Sequence, residues 1–180
     1  MSSIVADPLL LQLSSHRWLI PLLADLAARR GARFVELIHR LGISRDSLTR
    51  TLAAAANLGW VTRNPGHGHP LRPEYLLTAA GQAAALRAAR IAHAQGNIGL
   101  SLGTGTRWGL PIVAGIESGA DRFNALSRLL VPATPRALSQ GLVALDRQGL
   151  VTRAILDHRP PVSRYALTDS GHALAAACTL

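Results

Sequence analysis

"SRYALTDSGHAL", residues Ser163–Leu174, and "PEYLLTAAGQAA", residues Pro73–Ala84, carry one pattern ninety residues apart: Tyr, Leu two positions on, then Thr, then Gly three further. The shift extends beyond that stretch. "RWLIP" at Arg17–Pro21 matches "RWGLP" at Arg107–Pro111, "LGWVTR" at Leu58–Arg63 matches "QGLVTR" at Gln148–Arg153, and Pro70 matches Pro160. "RFVEL" at Arg33–Leu37 matches "RFNAL" at Arg122–Leu126 with a shift of 89, compensated before Ser44 and Thr134. Self-similarity through separate blocks marks a repeat, and this period is too long for a solenoid unit and suits one small domain. The sequence therefore predicts two domains, 1–96 and 97–180, meeting near the glycine-rich, uncharged "AQGNIGLSLGTGT" (Ala94–Thr106).

Within the first unit, apolar residues at Trp18, Leu19, Leu22, Leu23 and Leu26 follow a 3.6-residue period and predict a helix over Arg17–Ala28. Phe34, Leu37, Ile38 and Leu41 predict a second, and "GIS" then forms a turn. Ser44, whose hydroxyl suits an N-cap, opens a third helix reaching about Leu58, with Leu48, Leu52 and Ala55 inward and Gly59 just past its end. The period then falls to two. "WVTR" and "EYLLT" read as the strands of a hairpin around "NPGHGHPLRP", and a closing helix starts near Thr78. The second unit repeats the order: helices over Arg107–Glu117, Asp121–Leu130 and Thr134–Gln148, with Pro135 at N1, strands over Val151–Leu156 and Ser163–Leu167, and a closing helix from about Thr168. The fold class is mainly α with small β-hairpins (α+β), as tandem winged helix-turn-helix domains. Tyr75, Leu77, Tyr165 and Leu167 are expected to alternate inward and hold each wing to its helices.

Composition narrows the function. Nineteen basic residues, all Arg, face ten acidic ones in 180, a net charge of +9. Such an excess is the electrostatic footprint of a nucleic-acid binder. The single cysteine, Cys178, forms no internal disulfide, and no Cys/His cluster has zinc spacing. The N-terminus lacks a secretory pattern, and charged or polar residues break the apolar runs short of the ~20 a membrane span needs. The expectation is a soluble, cytoplasmic, nucleoid-associated protein without a membrane partner. With no nucleophile–base pair, paired carboxylates or phosphate-cradling glycine loop, neither an enzyme nor a cofactor is expected.

A winged helix lays its third helix in the major groove and its wing on the backbone. With Leu48 and Leu52 inward, Arg45, Asp46, Ser47, Thr49 and Arg50 point outward. Arg45 and Arg50 suit guanine O6/N7 edges, while Asp46 is expected to cap the helix start. In the second head Arg136, Ser139 and Gln140 point outward, and Gln140 suits adenine. That head contains Gly141 in mid-helix, a cost of ~1 kcal/mol relative to Ala. It also holds less charge: residues 1–96 carry eleven Arg against five acids, residues 97–180 eight against five. It reads as the weaker or differently specific head. Wing candidates for phosphate contact are Arg63, His67, His69 and Arg72, then Arg153, His158, Arg159 and Arg164. Arg63 and Arg153 match in position and are either phosphate clamps or solvated cations. The His67/His69 pair lacks a third ligand and reads as wing polarity rather than a metal site. Trp18 and Trp108 read as core anchors in preference to an effector pocket.

Taken in order, Trp18, "RFVEL", "ISRDSLTRTL", "GWVTR" and "HPLRPEYLLTAAG", then Trp108, "RFNAL", "TPRALSQGL", "GLVTR" and "RPPVSRYALTDSG" resemble the HxlR-like winged-helix transcriptional regulators, over nearly the whole chain and twice. The resemblance implies duplex DNA as partner and a regulator of transcription. Many members carry a Cys just before the first helix, used for redox sensing in some; "DPLLLQLSSHRW" and "SLGTGTRW" have none. Members usually hold one domain and dimerise, so the fused copies look like a covalent dimer, open to further homodimerisation through its outer helices. The rival is a tandem winged-helix adaptor of the chromosome-segregation type, against which the charge of +9 argues.

Overall fold

The first regular element is one that hydrophobic periodicity is too short to announce. In the computed structural model, which describes residues 6–64, 73–156 and 162–179, α1 (Pro8–Leu13) begins on Asp7. The Asp7 carboxylate accepts the Leu9 and Leu10 N–H groups at 2.9 and 3.2 Å, and Pro8 fills the first turn. Then come α2 (Leu19–Arg29), β1 (Ala32–Arg33), α3 (Phe34–Leu41), α4 (Arg45–Asn57), β2 (Val61–Asn64), β3 (Glu74–Leu77) and α5 (Ala79–Asn97). The repeat supplies α6 (Gly109–Glu117), α7 (Phe123–Leu129), α8 (Pro135–Arg147), β4 (Val151–Leu156), β5 (Val162–Leu167) and α9 (Asp169–Cys178).

These elements form two units. One is His16–Thr104; the other joins Met1–Ser15 to Gly105–Leu180. The division differs from a boundary between residues 96 and 97, for two local reasons. After α5 the chain folds back on its own unit: Arg17 donates to the Gly103 carbonyl, and Gly103 sits against the Trp18 ring. The α1 segment instead packs with α6, burying Leu10 and Leu13. Replacing either leucine with alanine is expected to destabilise that second unit by about 2 kcal/mol, the lower end for a buried Leu→Ala change. Thermal unfolding followed by circular dichroism checks it, and an unchanged transition in both variants contradicts the packing role.

The first unit closes around α2, where Leu19, Leu22, Leu23 and Leu26 are fully buried and lie against α5. Trp18 stands at the N-cap rather than inside the helix, half-buried, with the Arg17 guanidinium over its ring. Trp108 does the same for α6 beneath Arg107. β3 is the centre of a three-stranded antiparallel sheet, with Tyr75 opposite Arg63 on one side and Ala32 on the other. In the second unit β4 and β5 pair with Arg153 opposite Tyr165. There the first strand is reduced to one bond, from the Tyr165 N–H to the Asp121 carbonyl at 2.8 Å. Each unit has an ion pair beside it: Arg33–Glu74 at 3.6 Å in one, and in the other Arg164, at the Glu74 position, with Asp121, the residue before the Arg33 counterpart Arg122, at 3.1 Å.

The repeated Thr and Gly have one structural task. Thr78 Oγ1 donates to the Gly59 carbonyl at 2.6 Å and accepts the Gly81 N–H at 3.0 Å; Thr168 does the same with Gly149 and Gly171, at 2.7 and 3.1 Å. Gly59 and Gly149 take the left-handed conformation that ends α4 and α8. One hydroxyl therefore ties the end of the third helix to the start of the closing helix. Thr168→Val keeps the shape and removes both bonds. The expected loss is about 1–2 kcal/mol, an N-cap bond plus an orphaned carbonyl. A Thr168→Ser variant restores most of it, read as the unfolding midpoint of each variant in urea.

Two further expectations change in the structure. The inward alternation expected of the wing residues appears in β5, where Tyr165 and Leu167 are half-buried beside exposed Arg164 and Ala166, but not in β3, where Tyr75 and Leu77 are no more buried than Glu74 and Leu76. Gly141 has a packing role in α8 that its sequence context did not show. It is buried, and a Cβ there would stand 2.6 Å from Ile112 Cδ1, so its absence lets α8 close on α6.

Candidate nucleic-acid interface

Each third helix is set by a local cap and an apolar stripe. Ser44 Oγ accepts the Ser47 N–H at 3.2 Å, and Thr134 Oγ1 accepts the Ala137 N–H at 3.2 Å. Asp46 is in the first turn of α4, where its charge complements the helix dipole; the capping it was expected to provide comes from Ser44. Leu48 and Leu52, or Leu138, Leu142 and Leu145, are buried beneath. The opposite faces stand in solvent.

On α4, Arg45, Thr49 and Arg50 are exposed and Ser47 is half-buried. The Arg45 guanidinium lies 6.0 Å from the centroid of the Phe34 ring, and Arg50 Nε donates to the Asp46 carbonyl at 3.3 Å. On α8, Arg136, Ser139 and Gln140 are exposed. On the strands Arg63 and Arg153 are exposed at paired positions. Arg153 is held by Ser163 Oγ, at 3.1 Å from Nε and 2.8 Å from Nη2. Arg164, the last of the wing candidates, is held instead by Asp121. His67, His69, Arg72, His158 and Arg159 lie outside the described residues. Among the described residues, no group of three His, Cys, Asp or Glu side chains is placed to hold a metal ion.

Between third helix and hairpin each unit has a concavity, about 250 Å³ in the first and 190 Å³ in the second. They are the same feature repeated: Thr49 and Ser139, Ala53 and Val143, Arg63 and Arg153, Tyr75 and Tyr165 line them at matching positions. The tyrosines, read from sequence as purely structural, thus share a groove with the candidate phosphate ligands. The chemistry is not the same in both. Phe34 walls the first groove, 6.5 Å from Tyr75 between ring centroids. In the second, Asp146 takes the place of Ala56. Helical phase measured from Leu138 and Leu142 is the signal that would have placed Val143 outward; nothing local marks Asp146 as a groove residue.

Three helices with the third exposed, followed by a hairpin and built twice in one chain, define a winged helix-turn-helix protein. The chain belongs to the HxlR-like helix-turn-helix family, whose pattern matches residues 13–92 and again residues 104–179. Among curated proteins it is similar to the uncharacterised HTH-type transcriptional regulator YvaP of Bacillus subtilis (strain 168), with 36% identity over 69 residues, 38% of this chain and 64% of that protein. It is also similar to the uncharacterised HTH-type transcriptional regulator YtfH of Escherichia coli (strain K12), with 33% identity over 66 residues, 37% of this chain and 52% of that protein. The chain thus spans about half to two thirds of the length of these relatives. A crystal structure from Enterococcus faecalis V583, described as of the MarR family, aligns with a TM-score of 0.40 at 31% identity, covering 48% of this chain and 74% of that one.

Proposed function

We propose that the chain is a DNA-binding transcriptional regulator in which both units are reading heads. The observation that carries this is the pair of third helices. Each is capped, anchored by leucines beneath, and leaves a polar, Arg-bearing face in solvent, in a chain of net charge +9. Arg45, Ser47, Thr49 and Arg50 face one half-site and Arg136, Ser139 and Gln140 another, through bases or backbone, with Arg63 and Arg153 on phosphates. The two helices differ at most outward positions, so the half-sites are unlike, about one helical turn apart. The reading includes no catalysis, a cytoplasmic location on the nucleoid, and further homodimerisation through the outer helices. Among the described residues, no helix is long and apolar enough to cross a membrane.

The test is retention of genomic DNA fragments by the purified protein at ~150 mM salt, with sequencing of the retained fraction. Enrichment of a short motif with two unlike halves, and affinity falling steeply with added salt as counterions are released, is the expected result. Uniform retention reduces the reading to nonspecific binding. No retention at all replaces it with the adaptor.

A further inference from the structure

The inner face of α8 is fixed by Leu138, Leu142 and Leu145 and by Gly141 against Ile112. At 100° per residue the line opposite runs through Arg136, Gln140, Val143 and Arg147, and all four are exposed. Val143 is 50% exposed, a branched apolar side chain between polar neighbours on the most outward line of the helix. The matching line of α4 is Asp46, Arg50, Ala53 and Asn57. The two heads are therefore laid out in opposite ways. Along that line the first has its cation in the middle and none at the ends, Arg45 standing off it at the helix start; the second has cations at both ends and a neutral pair between.

That arrangement has dimensions. At 1.5 Å per residue, Arg136 and Arg147 stand about 16 Å apart along the helix, somewhat more than the ~12 Å width of the major groove. Long guanidinium side chains at that spacing reach phosphates on its two walls. Gln140 and Val143, three residues apart, have Cβ atoms about 5–6 Å from each other and face the base edges between. Glutamine pairs with adenine N6 and N7, and an apolar side chain packs on the 5-methyl group of thymine.

We propose that Gln140 and Val143 are the base-reading pair of the second head, taking an adenine and a thymine methyl group, with Arg136 and Arg147 on the flanking phosphates. The proposal rests on the DNA-binding reading above and adds to it that the second half-site is A·T-rich, while Arg50 gives the first a guanine.

The test uses the full chain and the duplex motif that it selects. In one version each thymine of the second half-site is replaced by deoxyuridine, which lacks only the 5-methyl group. The native protein is expected to bind that duplex about fourfold more weakly, the effect of one buried methyl group, and Val143→Ala is expected to bind both duplexes alike. Gln140→Ala lowers affinity at least about fivefold and relaxes the preference at its base pair. Arg147→Ala weakens all sequences equally and lowers the salt slope by about one. Equal binding of thymine and uracil duplexes by the native protein, or a thymine preference that survives Val143→Ala, overturns the proposal while DNA binding stands. A selected motif with two G·C-rich halves does the same. Failure to retain any duplex removes the DNA-binding reading and this proposal with it.

Discussion

Alanine in place of Gly171 or Gly81 is expected to destabilise the unit that contains it by about 3 kcal/mol or more, the upper end of overpacking costs. A Cβ on Gly171 overlaps the carbonyl oxygen of Leu150, and one on Gly81 overlaps that of Trp60. Neither obstacle is a side chain able to turn away. Both are backbone held in place: the Thr168 N–H donates to the Leu150 carbonyl at 3.1 Å and the Thr78 N–H to that of Trp60 at 3.0 Å. The closing helix must move off or the sheet must shift, and either opens the core under α6 or α2. Gly96→Ala is the control. Gly96 lies in α5 with nothing within 4 Å of its added Cβ, and the change there stabilises slightly, by about 0.4–1 kcal/mol. Urea unfolding of the three variants decides it. A two-unit chain need not unfold in one step, so the midpoint of each transition is the quantity compared.

Removing Arg45 and Arg50 together is expected to weaken duplex binding roughly a hundredfold, if each contributes the ~1–3 kcal/mol of a side chain reading a base. Both guanidiniums are partly ordered already, one over the Phe34 ring and the other on the Asp46 carbonyl, which reduces the entropy lost on docking. The fold loses little, because an exposed cation–π contact contributes about 0.5–1 kcal/mol and Arg50 is exposed. Fluorescence anisotropy on the selected motif and on a scrambled duplex separates the two ways this can go. A loss confined to the selected motif identifies base readers. An equal loss on both identifies phosphate contacts, and no loss on either removes the first head from the interface.

Asp25 shows how a feature invisible to motif reading supports the same face. Its carboxylate takes both Arg40 Nε and Nη2, at 2.8 and 2.7 Å, and that hydrogen bonding raises the Arg40 pKa further above its ordinary value. The pair ties α2 to α3, the helix that precedes the turn into α4. Neither residue belongs to a repeated block, since Gly115 and Leu129 or Leu130 stand at the corresponding places.

What the sequence determined by itself was everything written in local chemistry and repeated. The 3.6-residue stripes placed both ends of α2, α3, α4, α6, α7 and α8, and the starts of α5 and α9, within two residues. Ser44, Thr134, Thr78 and Thr168 are N-caps because the bond each makes is to an N–H three residues away. The outward faces of α4 and α8 followed from the leucines beneath them. What only the tertiary structure decided depends on partners distant in the chain. α1 has six residues, too few for a period to show, and its place follows from α6. β1 has two residues and exists because β3 lies beside it. Gly141 looked like a flaw until Ile112 was opposite it. Tyr75 and Tyr165 read only as ties between wing and helices until the third helices left one side of each wing open as a groove. A side chain's periodicity and its hydrogen bonds to its own turn are fixed by neighbours in sequence; its burial and its Cβ clearance are fixed by atoms that only the folded chain brings near.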